Sequence, residues 1–483
     1  CTRYTVTAFA LIASLALPTP AMSALVNFAT SPLATSTTST VKPNLLFVLD
    51  DSGSMTWTYM PDAADNFRGD YGYHSNQCNT AYYDPDITYL PPLDSAGVSY
   101  AAASFTAARD DGFNMTSTAK NLNSEFIANL FSPDAANTTF SANGSYLGTN
   151  SLGPYGAFYY AYSGAQTTKN YNTTSSTFYT ECNTPLSSPT TVFSKRRLST
   201  TSTTTIIVSG TNSTSVSSIV VGASVNLLNA GIAATTSSST MAANIATQIN
   251  AKSATTGYTA ITPGSSSVVT ITGPTSAANL TPAITQAGTM TLAADVFPDT
   301  DATKLTNFAN WYSFYRTRLL LMKTAAGRAF NSLNDSYRVG LMRINSSTPV
   351  TDLGTFDSTQ RAAWYNALYS SVNGGGTPLR RSLADAGRYY AGRLPGYLAG
   401  TATDPVQYSC QQNFTLLSTD GYWNGAAGYR ENGSTAVGNQ DGDQRRPFYD
   451  GSALTTQRFT SQLQRTLVQI RQSTSNLQLS TMY

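Results

Sequence analysis

An α/β fold built on a parallel sheet is what this chain predicts, and three stretches carry that prediction. The first is Asn44-Leu-Leu-Phe-Val-Leu-Asp-Asp-Ser-Gly-Ser-Met55, where the apolar run Leu45 to Leu49 has the pattern of a fully buried strand. It ends in Asp50-x-Ser52-x-Ser54. The second is Phe414-Thr-Leu-Leu-Ser-Thr-Asp-Gly421, another apolar run, which ends in Asp420. The third lies between them: Phe308, Trp311, Tyr315, Leu319, Met322, Ala326 and Phe330 recur at helical spacing. That aromatic stripe reads as one core-facing helix and not as a cofactor box. Tyr337 to Ile344 reads as the next strand, and Leu379, Leu383, Ala386 and Tyr390 mark a helix after Thr377. Strands and helices in alternation argue for a parallel sheet covered on both faces. Such sheets place their sites at the carboxyl ends of the strands.

The candidate chemistry sits at that edge. Gly374-Gly-Gly-Thr-Pro-Leu379 sets Thr377 after a flexible backbone and before a helix. Asp50, Ser52, Ser54, Thr377 and Asp420 are thus five oxygen-bearing side chains, each at a predicted strand–loop edge. Hard oxygen donors suit a hard divalent cation such as Mg2+ or Ca2+. Each piece alone is weak. D-x-S-x-S arises by chance in a Ser-rich chain, and Thr377 before Pro378 is equally a helix N-cap with proline at the first helical position. The three pieces in this order resemble the metal-ion-dependent adhesion site (MIDAS) of von Willebrand factor A domains. The resemblance implies a von Willebrand factor A-like (Rossmann-like) parallel sheet. It implies direct metal contacts from Ser52, Ser54 and Thr377, contacts direct or through water from Asp50 and Asp420, and a ligand carboxylate in the last position.

Composition bounds the rest. With 483 residues there is room for two or three domains, and 41% hydrophobic residues supply a core. Charged residues make up only 11%, against the usual quarter, so Ser, Thr, Asn, Gly and Tyr must cover the surface, as in secreted bacterial adhesive proteins. A net charge of +2 argues against nucleic acid as a partner. Arg3, the apolar stretch Val6 to Leu17 and the small residues up to Ala24 read as a signal peptide over 1–24, hence an exported protein. No other stretch is apolar for long enough to predict a transmembrane segment. In an oxidising compartment one pair among Cys78, Cys182 and Cys410 is expected. Sequence does not fix the pairing; Cys78 with Cys182 is the choice made here, with Cys410 a packed small hydrophobe at the start of a strand.

The expected organisation follows. A Ser/Thr-rich linker occupies 25–43. The A-like domain is discontinuous, 44–56 and 301–455. A Tyr/Gly/Asn-rich insertion (57–197) and a small α/β module (198–300) interrupt it, and a C-terminal helix and tail occupy 456–483. The insertion is expected to be mainly β and to stand over or beside the metal face, because it leaves from the metal loop. In the module, Ile206 to Val208, Ile219 to Val221 and Val268 to Ile271 read as strands and Met241 to Ile249 as a helix.

Several motifs together resemble PilY-type type IV pilus biogenesis and tip proteins. These are Cys78-Asn-Thr-Ala-Tyr-Tyr-Asp-Pro-Asp-Ile-Thr-Tyr89, Asn307-Phe-Ala-Asn-Trp-Tyr312 with Tyr315-Arg-Thr-Arg318, Gly376-Thr-Pro-Leu379 with Gly387-Arg-Tyr-Tyr390, and Thr419-Asp-Gly-Tyr-Trp-Asn424. The resemblance implies a cell-surface or pilus-tip protein that supports pilus biogenesis and adhesion. It implies minor pilins and the type IV pilus machinery as partners, and host-cell or abiotic surfaces as external ligands. Such proteins usually carry a C-terminal β-propeller, for which the sequence up to Tyr483 shows no counterpart. A structural scaffold without external ligand and a secreted hydrolase are the rival classes. No enzyme activity is expected: the chain has one histidine, His74, read as a surface loop residue, and no G-x-S-x-G elbow or P-loop. Arg68-Gly69-Asp70 reads as a chance tripeptide.

Overall fold

Along the chain the sheet domain runs β1 (Asn44–Leu49), α1 (Ala302–Phe314), α2 (Arg318–Phe330), β2 (Arg338–Arg343), β3 (Thr351–Thr355), α3 (Ser358–Tyr369), α4 (Leu379–Tyr390) and β4 (Asn413–Leu417). These elements come from a computed structural model that describes residues 41–62, 64, 70–126, 156–164, 180–186, 188–421, 423–425 and 428–437. Apart from Val41, all of them lie in the unit Lys42–Tyr483. The signal peptide, most of the linker, Arg68-Gly69 and the C-terminal helix lie outside the described residues.

The sheet order is β3-β2-β1-β4. β1 pairs in parallel with β2, from Asn44↔Arg338 to Leu49↔Arg343, and with β4, from Asn44↔Asn413 to Val48↔Leu417. β3 runs antiparallel at the edge. The three parallel strands therefore end on one rim, and β1 and β4 deliver their polar tails there. Side-chain alternation along β1 sets the two faces. Phe47 and Leu49 face α2 and α3, whereas Leu46 and Val48 face α4, and all four are fully buried. Trp364 of α3 anchors the first face: its ring stacks on Phe330 at 4.4 Å, and its Nε1 donates to the Gly340 carbonyl at 3.2 Å. Truncating such a ring to alanine costs about 3–5 kcal/mol. Leu379, Ala386 and Tyr389 of α4 close the second face.

The aromatic stripe is buried along its whole length, but it belongs to two helices and not one. Asp301 caps α1 by accepting from the Thr303 and Lys304 N–H groups, and Thr317 caps α2 by accepting from the Leu320 N–H at 3.1 Å. The break lets the flanking arginines go separate ways. Arg316 Nη2 donates to the Asp110 carbonyl at 2.8 Å, while Arg318 runs to the carboxyl rim.

The described part of the first insertion is less β than expected. Among the described residues of 57–197, only Ala108–Arg109 with Ala119–Lys120 and Phe158–Tyr162 with Phe193–Arg197 pair as strands. Short polar side chains close the turns instead: Asp94 accepts from the Ala96 and Val98 N–H groups, and Asp111 from the Phe113 N–H. Its middle part lies on the helical flank. Asn307 and Asn310 accept from the Tyr89 and Ala103 N–H groups, and Trp311 Nε1 donates to the Ala81 carbonyl. Its opening residues meet the carboxyl rim through Arg318, which donates to the Tyr59 carbonyl and to Asp62 Oδ1. The Cys78–Cys182 disulfide forms, across 104 residues. Cys410 is exposed, since β4 begins only at Asn413 and leaves it in the preceding turn.

His74 is fully buried, contrary to the surface reading. Its ring sits among Tyr73, Tyr82, Phe158 and Tyr160, and Nδ1 lies 3.1 Å from the Asp70 carbonyl. Burial pushes its pKa down to about 4 against that hydrogen bond, so the ring is neutral. Nδ1 then donates, and Nε2 has no hydrogen-bond partner among the described residues.

Within 198–300 the strands and the helix fall where the sequence placed them. Strands Thr203–Ser209, Thr259–Ile261, Val268–Thr272 and Thr291–Ala294 form one antiparallel sheet, Thr214–Val221 and Ala283–Gly288 pair in a second, and helix Ser238–Ala251 packs on a core of its own with Ile206, Val208, Ile219 and Ile271.

Candidate functional site

Asp50 follows β1 at once, at the centre of the carboxyl rim, and is fully buried. Its Oδ1 accepts from the Ser52 N–H at 2.9 Å, which curls the loop into the short 3-10 turn Gly53–Thr56. The Ser52 and Ser54 hydroxyls come within 3.0 Å of each other. Asp50 Oδ2 has no hydrogen-bond partner among the described residues. A buried carboxylate oxygen left without a donor is rare and asks for an explanation. Burial is the main cause that raises the Asp50 carboxyl to about 6; the nearby Asp420 carboxylate adds to it, and hydrogen bonds from Ser52 and Thr419 oppose it.

Backbone bonds bring the second segment to this loop. The Gly53 N–H donates to the Gly375 carbonyl at 3.2 Å, and the Gly374 N–H to the Asp51 carbonyl at 2.7 Å. Gly375 has φ +79°, and a Cβ there would stand 2.7 Å from Asn345 Oδ1, so only glycine fits the turn. Thr377 is buried just beyond it. α4 begins at Leu379 with Pro378 at its N-cap and no side-chain cap bond, so the Thr377 hydroxyl is not spent on capping the helix.

Asp420 comes from the loop after β4, where the Ser418 Oγ meets the Asp50 N–H at 3.3 Å. The coulombic influence of Asp420 on Asp50 places the two carboxylates near each other. Asp420 Oδ2 also accepts from Arg318 Nη1 at 2.6 Å. The five residues singled out from sequence therefore come from three loops that meet on one rim. Among the described residues no three His, Cys, Asp or Glu side chains form a metal-binding group, because two carboxylates and three hydroxyls make up this set. Such donors, with one carboxylate oxygen unspent, fit a hard divalent cation.

Three comparisons with known proteins bear on what this rim belongs to. Type IV pilus biogenesis factor PilY1 of Pseudomonas aeruginosa strain PAK is 29% identical over 441 residues, covering 86% of this chain and 26% of the relative. PilY1 of strain UCBPP-PA14 is 26% identical over 400 residues (80% of this chain, 23% of the relative), and PilY1 of strain PAO1 is 36% identical over 169 residues (31% and 14%). The chain is similar to the PilY1-type type IV pilus biogenesis factors over most of its length. It spans about a quarter of the length of the PAK and PA14 relatives. No family model matches it. No solved structure matches it.

The residues that position the rim are ones the motif reading passed over. Asp51 is buried, and its Oδ1 accepts from the Asn345 N–H and Nδ2, while Asn345 Nδ2 also donates to the Gly376 carbonyl at 2.9 Å. Asn424 clamps Thr377 from the other side: its Oδ1 accepts from the Thr377 N–H at 2.8 Å, and its own N–H donates to the Thr377 carbonyl at 2.9 Å. Arg318, 2% exposed, is the third. It donates to Asp420, to Asp62 Oδ1 at 2.5 Å and to the Tyr59 carbonyl at 2.8 Å, with its guanidinium over the Trp57 and Tyr59 rings. Asn424 and Arg318 lie inside the family-like motifs, which was the available signal; Asn345 carried none.

Proposed function

We propose that this chain is the part of an exported type IV pilus assembly protein that binds a divalent cation and, through it, an acidic side chain of a partner. Under this reading the sheet domain is von Willebrand factor A-like. Ser52, Ser54 and Thr377 hold Mg2+ or Ca2+, Asp50 and Asp420 act directly or through water, and a partner carboxylate completes the shell. The cation supplies the strong local charge that an otherwise low-charge surface lacks. Minor pilins of the pilus machinery are the expected assembly partner, and host or abiotic surfaces the external ligand. Asp50 Oδ2 is the observation that carries the reading: a buried carboxylate oxygen that accepts no hydrogen bond from any described residue. Among the described residues no helix is long and apolar enough to cross a membrane.

Thermal unfolding of the full chain with and without Mg2+ or Ca2+ tests the site. A cation-dependent rise in Tm that vanishes in Asp50→Ala is expected; an equal rise in that variant rules the site out. Deleting the gene should reduce surface pili or attachment, and wild-type levels of both would sink the pilus assignment. The rival reading, a scaffold that holds no cation, draws on Arg318, which already neutralises Asp420. It predicts no cation response in the wild type.

A further inference from the structure

A second hollow lies on the helical flank, between the first insertion and α3. Its volume is about 510 Å3, within the range of small-molecule sites. The walls are aromatic. Phe113 packs on Tyr369 with centroids 4.5 Å apart, and Tyr100 and Tyr365 meet Tyr369 edge-on at 5.8 and 5.6 Å. The Tyr369 and Tyr365 hydroxyls donate to the Leu93 and Gly327 carbonyls, so these two rings contribute carbon surface to the cavity. Two carboxylates stand in the lining, Asp94 and Asp111. Each commits Oδ1 to a turn, and Oδ2 of each makes no hydrogen bond among the described residues.

We propose that this hollow binds a neutral saccharide. Sugar C–H faces lie well on aromatic rings, and sugar hydroxyls are the donors that two unspent carboxylate oxygens accept. The amide of Asn366 adds a further polar group at the lining. The competing ligands are disfavoured by charge. Lys323, 2% exposed, already places its Nζ 5.4 Å from the Phe113 ring centre, so the cation–π position that an ammonium ligand would use is taken. Asp94 and Asp111 repel an acidic sugar. The hollow shares none of its lining with the five rim residues, so it stands apart from the proposed cation site.

Saturation-transfer NMR on the full chain tests this, with the methyl glycosides of glucose, galactose, mannose and N-acetylglucosamine as probes. Transfer to at least one of the four is expected, unchanged by EDTA. Asp111→Asn keeps the turn acceptor and should weaken binding tenfold or more. Asn366→Trp, on an exposed helical position, should fill the hollow and abolish the signal without touching the core. The proposal is overturned by no transfer to any probe, by transfer that survives both variants, by loss of transfer on chelation, or by methylammonium binding there in place of the sugars.

Discussion

Asn44 at one end of β1 and Asp50 just past the other lie six positions apart and treat polar groups in opposite ways. At the amino rim Asn44 is fully buried and fully used: Nδ2 donates to the Pro405 carbonyl at 3.1 Å and to Asn413 Oδ1 at 2.7 Å, and Oδ1 accepts from Arg338 Nη1 at 3.0 Å. Arg338 goes on to the Pro405 and Leu353 carbonyls, and Gln411 ties in the Lys42 carbonyl. At the carboxyl rim Asp50 is equally buried, yet one of its oxygens has no hydrogen-bond partner among the described residues. Satisfied buried networks hold a fold together, whereas an unsatisfied carboxylate with a raised pKa is what a binding site keeps in reserve. Under the cation reading, one strand separates stability from function along its own length.

Arg318→Met should give the largest effect, because it strips the counter-charge from Asp420, whose side chain is 5% exposed, and from Asp62. A loss of about 3–5 kcal/mol in chemical denaturation is expected. If the cation reading holds, Mg2+ or Ca2+ restores part of that loss, since a cation replaces the missing positive charge. A loss that cations leave untouched would mean that Arg318 serves the fold alone.

A site on neither rim gives a control. His74 titrates near 4 in the folded chain against an unfolded value of 6.5, so the unfolded state binds the extra proton in between. Its contribution to stability is complete above pH 6.5 and falls away towards pH 4, by about 3 kcal/mol. The stability difference between wild type and His74→Gln should shrink by that amount on acidification. A difference flat with pH would contradict the burial of a neutral ring.

Asn44→Ala should cost about 2 kcal/mol, from the partners it strands in the amino-rim network. The cation response should not change. Asp50→Asn should give the smallest shift, and of opposite sign. Removing a desolvated charge should stabilise the cation-free chain by about 1 kcal/mol at pH 7, while abolishing any rise with cations. If Asn44→Ala weakened the cation response as much as Asp50→Asn does, the contrast between the rims would fail.

Periodicity made much of the sheet domain legible. Leu45 to Leu49 and Phe414 to Leu417 are short apolar runs with polar tails, and both are parallel strands ending on one rim. The break between α1 and α2 was hidden because the apolar stripe runs through it unbroken; only the Thr317 cap marks it. His74 was misread because tyrosine-rich polar sequence looks like surface, while its burial comes from rings contributed by residues as distant as Phe158 and Tyr160. The five candidate oxygen donors could be named from spacing, and the structure gathers their loops. Arg318 on Asp420 and Asn345 on Asp51 depend on contacts across the fold, which no local pattern encodes.

The strand order carries a consequence for how the chain comes into being. β1 is the first strand of the sheet to be synthesised, yet its partners are residues 338–343 and 413–417. The strands of the 198–300 module find their mates within about a hundred residues and can close early. Contacts of long sequence separation form slowly, because a large loop must be ordered before they reward it. Under the export reading, an apolar segment would wait outside the cytoplasm for nearly four hundred residues to follow, a period when it is open to wrong pairing. The sheet's first strand is therefore the last to be sealed, and a holding factor that shields Leu45 to Leu49 until residue 417 has emerged would raise the yield of folded protein.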